Sequence, residues 1–321
     1  MDRSSRKHYI AAYLLAALAM IYAGYSLPRW LPGDFVTAMY SNSHVTLTAD
    51  QERDLKAYYT ERPGFGRHLA DLFTLKWGYS YAFQTSVSGL ILGALPWTLL
   101  LMGGAHLLSM ASGFIAGVEA AWRRGGIVEK AGVGAMTVFE GVPEIATGVV
   151  LLLLFSFRLG WLPAAGGETA YATYSGAVRL LDILRHLALP LATLFLAYFP
   201  GNFLLTRASM VIVLKQRFLE TARAKGLPPI RIRYAHAARN ALLPMVTRFG
   251  LRIAFMVTGA LVVETIYAYP GLGTLLFNAI SMRDLPLIQG IVLFSSLVVL
   301  SVNLSLEFVY VRIDPRARHA S

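Results

Sequence analysis

The stretch FLETARAKGLPPIRIRYAHAARNALLP, Phe218–Pro244, decides how the chain is read. It is rich in arginine and alanine, carries a Pro-Pro pair, and lies between two of the most apolar runs in the sequence. Its meaning depends on which side of a membrane it occupies.

Composition makes a membrane unavoidable. Of 321 residues 56% are hydrophobic and 15% charged, and the mean hydropathy is +0.54. A soluble chain carries about 25% charged residues. An apolar helix needs roughly 20 residues to cross a hydrocarbon core. Runs of that size recur at Tyr9–Pro28, Leu90–Val118, Ala131–Phe157, His186–Val213, Thr247–Ala268 and Leu287–Val311. They are continuous, whereas barrel strands are segments of about ten alternating residues. The expected fold is all-α and polytopic, with about six spans. The first run is longer than the apolar core of a signal peptide and ends in SLPRWLPGDF, so it is read as an uncleaved anchor. Prolines at 96, 143, 190 and 200 should kink spans. Gly113 and Gly117 make a GxxxG pair that permits close helix contact.

Charge orients the chain. With the N-terminus inside, the inner segments hold 17 of the 29 basic residues. They include Arg3, Arg6 and Lys7, then Arg123, Arg124 and Lys130, and Arg312, Arg316 and Arg318 at the end. The outer bases are offset by acids such as Asp50, Glu52, Asp54 and Asp71. The positive-inside rule places both termini, and the opening stretch, in the cytoplasm. The net charge of +11 is topological and implies no nucleic acid. The chain then has three parts: the N-terminus and first span (1–31), an extracytoplasmic segment with short helices (32–89), and a five-helix core (90–321) carrying a cytoplasmic loop, 207–246. In 32–89, TADQERDLKAYY reads as a helix with Thr48 or Asp50 at its N-cap.

The loop itself reads as two helical pieces. QRFLETARAKG should end on Gly226 as a C-terminal cap, and Pro228 and Pro229 break the helix before IRIRYAHAARNALLP resumes it. Ala222 and Ala224 give a small-residue surface open to another protein. ETARAKG…HAARNALLP resembles the EAA loop of binding-protein-dependent ABC importer permeases, with the longer gap of the dipeptide, oligopeptide and nickel subfamily. RWLPGDF, LTADQERDLKAYY, WGYSY, FSFRLGWLPAAG, LRHLALPLATL, LTRASM, VVETIYAYPGLGTLL, RDLPLIQG and DPRAR agree with that subfamily in order, and the first permease subunit type fits best. The resemblance covers nearly the whole chain.

The resemblance implies a type I ABC importer permease fold in the cytoplasmic (inner) membrane of a bacterium or archaeon. It implies a second homologous permease, two ATP-binding cassette subunits and an extracytoplasmic solute-binding protein as partners. It makes Glu220, Thr221, Ala222, Arg223, Ala224, Lys225 and Gly226 the docking surface for the ATPase, a coupling helix. The cargo would be a peptide or a related small solute, including a nickel complex.

What is missing agrees. There is no GxxxxGK[ST], HExxH or GxSxG stretch and no cysteine, so no nucleotide, metal or nucleophile site is expected, and no cofactor of the chain's own. Enzymatic activity is not expected. An ion-coupled secondary transporter is the alternative, but it would normally show inverted repeats. His106, inside the second span, is either a packed neutral histidine or part of a pathway.

Two spans depart from the family pattern. MTVFEGVPEIATGVV puts Glu140 and Glu144 four apart, hence on one helical face, and VTRFGLRIAF does the same for Arg248 and Arg252. Intramembrane charge is usually paired or lines a pathway. An interhelical ion-pair ladder is expected, or else each group sits at a water-filled interface.

Overall fold

The structure is a computed structural model that describes residues 3–30, 48–60, 64–80, 82–254 and 260–313. DPRAR, most of RWLPGDF and the middle of the fifth expected span lie outside them. Among the described residues the regular elements are helices apart from a two-stranded ribbon, β1 (Tyr79–Ser80) and β2 (Thr85–Ser86). In order come α1 (Arg3–Trp30), α2 (Ala49–Thr60), α3 (Phe65–Phe73), α4 (Val87–Trp122), α5 (Ile127–Glu140) and α6 (Glu144–Leu151). After them come α7 (Gly176–Val213) and α8 (Arg217–Ala224), then α9 (Leu243–Ala254), α10 (Leu261–Ile266), α11 (Leu272–Ser281) and α12 (Leu285–Ile313). The fold of the described residues is all-α.

Three helices among the described residues are long and apolar enough to cross a membrane: α4, α7 and Leu285–Ser305 of α12. The third expected span corrects the sequence reading. It is not one helix, because α5 and the pair of α6 with its π-helical extension Leu152–Arg158 meet at a 95° bend, and the pair counts as a fourth span only if taken together. Pro143 caps the N-terminus of α6, where its missing N–H costs nothing. The fourth span begins at Gly176, ten residues before the expected start. α4 is one helix through Pro96, and α7 through Pro190 and Pro200.

The chain divides into two compact units. The first comprises Met1–Trp97, Val257–Leu261 and Pro270–Ser321. Its core joins Val87, Ile91 and Ala94 of α4 to Leu272, Leu275 and Ala279 of α11 and Leu287 and Ile291 of α12. Asp284, fully buried, ties the joint: Ser80 donates a hydrogen bond to its Oδ2, and the Leu287 amide donates to its Oδ1 at 3.2 Å. Burial raises the Asp284 carboxyl above the usual carboxylate range, and the bonds from Ser80, Leu287 and Ala82 offset only part of that. At the start of α2, Thr48 and Gln51 exchange bonds of 3.3 and 2.9 Å, so Thr48 is the N-cap, in a capping box.

The second unit comprises Thr98–Met256 and Val262–Tyr269. Here the GxxxG pair meets backbone. A Cβ on Gly113 would stand 3.1 Å from the Phe203 nitrogen, and one on Gly117 would stand 2.7 Å from the Phe203 carbonyl oxygen. Only glycine lets α4 and α7 approach this closely. One turn before Gly113, Asn202 donates to Ser109 at 3.1 Å, which fixes the register of the crossing.

Candidate functional site

Of the 207–246 segment, 207–213 still belong to α7 and 243–246 to α9; between them the chain forms two helical limbs. α8 has no side-chain cap at its N-terminus, but Glu220 stands in its first turn, where the helix dipole favours negative charge. The C-terminus closes in a Schellman motif. Gly226 has φ +71°, its amide bonds the Arg223 carbonyl at 2.9 Å, and the Leu227 amide bonds the Ala222 carbonyl at 3.4 Å. Glycine is required there by the left-handed backbone alone, since a Cβ would meet nothing within 4 Å. The second limb is a continuous run of Pro229–Arg231, a π-helical Ile232–Ala238 and Arg239–Ala241. Proline opens it at the first helical position, where no amide is needed.

One face of the loop is core. Leu219 and Ala222, three apart on α8, are buried with Ile232, Ala237, Ala238 and Ala241 against Val118 and Ala121 of α4 and Met210 of α7. Ala222, expected on the outward surface beside Ala224, therefore turns inward: the helical period puts it on the side of Leu219. Glu220, Thr221, Arg223, Ala224, Lys225 and Gly226 are exposed, and Phe218 beside them is 42% exposed. The outward face carries both signs of charge around an apolar side chain.

Two ion pairs, neither anticipated from sequence, lie here: one fastens the loop to the end of α4, the other ties α7 to α5. Glu119 of α4 accepts from Arg233 at 2.5 Å and from the Tyr234 hydroxyl at 2.7 Å. The Arg233 guanidinium also lies over the Trp122 ring, 4.8 Å from its centroid. The bond to Glu119 is the main reason the Tyr234 hydroxyl is raised above its ordinary pKa. Nearby, Arg207 of α7 bonds Glu129 of α5. The available signal was a lone acid among bases at a span end, as in GVEAAWRR.

The charged residues further along divide into unlike pairs. Glu140 ends α5 and Glu144 begins α6, so the bend separates them and the one-face reading is corrected. Arg248 lies 3.7 Å from Glu140 and donates to the Gly201 carbonyl at 2.7 Å. Gly201 is the seat of that pair, because a Cβ there would stand 2.4 Å from Arg248 and 2.6 Å from Glu140. Arg252 instead lies over the Tyr198 ring, 4.4 Å from its centroid. Tyr198 stacks on buried His106 at 4.5 Å, so the histidine is a packed aromatic partner. Among the described residues, Glu144 has no ion pair and accepts no hydrogen bond.

Residues 112–319 match the family described as binding-protein-dependent transport system inner membrane component. The di/tripeptide transport system permease protein DppB of Pseudomonas aeruginosa (strain UCBPP-PA14) is 35% identical, over 92% of this chain and 93% of that protein. The oligopeptide transport system permease protein AppB of Bacillus subtilis (strain 168) is 33% identical over 90% of each chain. A putative peptide permease protein of Brucella suis biovar 1 (strain 1330) is 34% identical over 95% of each.

Proposed function

The chain belongs to the family of binding-protein-dependent transport system inner membrane components, and from that premise we propose that it is one permease half of an ATP-driven importer of peptides or related small solutes. The similarity to permeases named for di/tripeptides and oligopeptides supports the cargo. The carrying observation is the loop. Its short capped helix α8 keeps Glu220, Thr221, Arg223, Ala224, Lys225 and Gly226 outward while its inner face is packed against α4 and α7. A rigid element seated on two long helices passes a displacement on to both of them. That is a lever.

In this reading the loop faces the cytoplasm and docks on an ATP-binding cassette subunit. A second homologous permease completes the pathway, two cassette subunits bind and split ATP, and an extracytoplasmic solute-binding protein delivers cargo. This chain holds no cofactor and performs no chemistry of its own. The membrane is the cytoplasmic membrane of a bacterium or archaeon, with both chain termini inside. Co-purification tests the docking surface. Glu220→Lys and Lys225→Glu each replace an exposed side chain and should strip the cassette subunits from the solubilised permease while leaving the permease pair intact. Undiminished recovery of the cassette subunits with both variants would reject the docking role.

A further inference from the structure

Two opposite charges in the apolar part of the second unit are left open beside a pair that is closed. Glu140 and Arg248 close at 3.7 Å on their glycine seat. Glu144 and Arg252 do not. The Glu144 carboxylate, half-buried in the first turn of α6, meets no donor among the described residues. The Arg252 guanidinium rests on the face of Tyr198, which is itself fixed by stacking on His106. With its Cζ over the ring, the guanidinium is attracted by the aromatic face, and among the described residues its N–H groups meet no acceptor. Glu144 and Arg252 attract each other through space but form no ion pair or hydrogen bond, and charge within an apolar span is usually paired or lines a pathway, so both stay open to a polar partner.

We propose that Glu144 and Arg252 form an amphoteric subsite on the transport route, taking the ammonium and the carboxylate of a zwitterionic solute such as a free dipeptide. This rests on the peptide-permease reading and names the residues that would meet the cargo. The aromatic seat matters as much as the charge. It places the Arg252 guanidinium, whose planar fork can meet a carboxylate with two parallel donors. The first-turn position of Glu144 places its carboxylate at the positive end of the α6 dipole without tying it to a protein donor.

The experiment is uptake of dialanine by the complete reconstituted importer with saturating binding protein, for the wild type, Glu144→Gln, Arg252→Gln and the double variant. Melting of each assembled complex is followed alongside. Each single change should lower the maximal uptake rate about tenfold, the equivalent of about 1.4 kcal/mol. The double variant should be no faster, and all melting temperatures should stay within about 2 °C of wild type. Uptake by the wild type with unchanged rates in the variants would overturn the subsite alone. Single variants that melt early, with stability and uptake recovered in the double variant, would overturn it too, because that is the behaviour of an ion pair. No dialanine uptake by the wild type would overturn the peptide reading and the subsite with it.

Discussion

The Tyr234 hydroxyl lies 2.7 Å from the carboxylate of Glu119, although 115 residues separate them in sequence. Together with Arg233 this ties the second limb of the loop to the end of α4, a helix the loop does not directly continue. Glu119→Gln keeps the shape and removes the charge, leaving Arg233 without its counter-ion. With Glu119 30% exposed, the loss of stability should be modest, about 1 kcal/mol. The functional loss should be larger. Solute transported per ATP hydrolysed is expected to fall, and a coupling ratio equal to wild type would show that the tie carries no motion.

The left-handed cap of α8 gives a graded series. Gly226→Ala meets no steric obstacle, so its cost is backbone alone, about 1–2 kcal/mol. Gly226→Asn should recover part of that, since asparagine tolerates the left-handed region. Affinity of the permease for the cassette subunits should decrease in the order Gly, Asn, Ala. Equal affinities would place the cap outside the docking contact.

Much of the fold was legible in the sequence, and the limits are physical. Gly226 announced its cap because glycine is the usual residue at such a position. Leu75, Ala268 and Arg283 occupy the same left-handed position at the ends of α3, α10 and α11, with φ of 59°, 44° and 56°. Nothing in those residue types signals it. A kink at Pro143 was legible in the third span, but not that it would be a full 95° break between two helices. Ser80 and Asp284 belong to WGYSY and RDLPLIQG, two motifs read separately, and their contact across 204 residues is a property of the fold. Glu119 and Glu129 were passed over because their partners lie 114 and 78 residues away and no local spacing marks the pairs.

The α4–α7 crossing yields a contrast between two glycines. Gly117→Ala drives a methyl group into the Phe203 carbonyl and Thr206, which are backbone and a β-branched side chain that cannot swing away. Overpacking of this kind costs about 1–3 kcal/mol. Gly134→Ala in α5 meets nothing within 4 Å, and should be neutral or stabilising by up to about 1 kcal/mol. Melting of the purified chain compares them. Equal stability of the two variants would contradict the close crossing.

Asp284 makes the first unit sensitive to pH. Its folded-state pKa is raised by burial, so the folded chain holds this proton more tightly than the unfolded chain does. The contribution is fully present below the unfolded value, about 3.9, and is lost as pH rises through the folded value. Melting temperature should therefore fall with rising pH across that window, and Asp284→Asn should flatten this part of the profile while keeping an acceptor for Ser80. An identical pH profile in wild type and variant would refute the assignment.

The central claim is that this chain moves solute only when cassette subunits docked on α8 split ATP. The direct measurement is uptake of dialanine into proteoliposomes holding this chain, its partner permease and the cassette subunits, with binding protein on the side opposite the nucleotide. Uptake should require hydrolysable ATP, should be abolished by Lys225→Glu, and should not be supported by a proton or sodium gradient alone. Gradient-driven uptake by the permeases without cassette subunits would contradict the account and leave an ion-coupled transporter in its place.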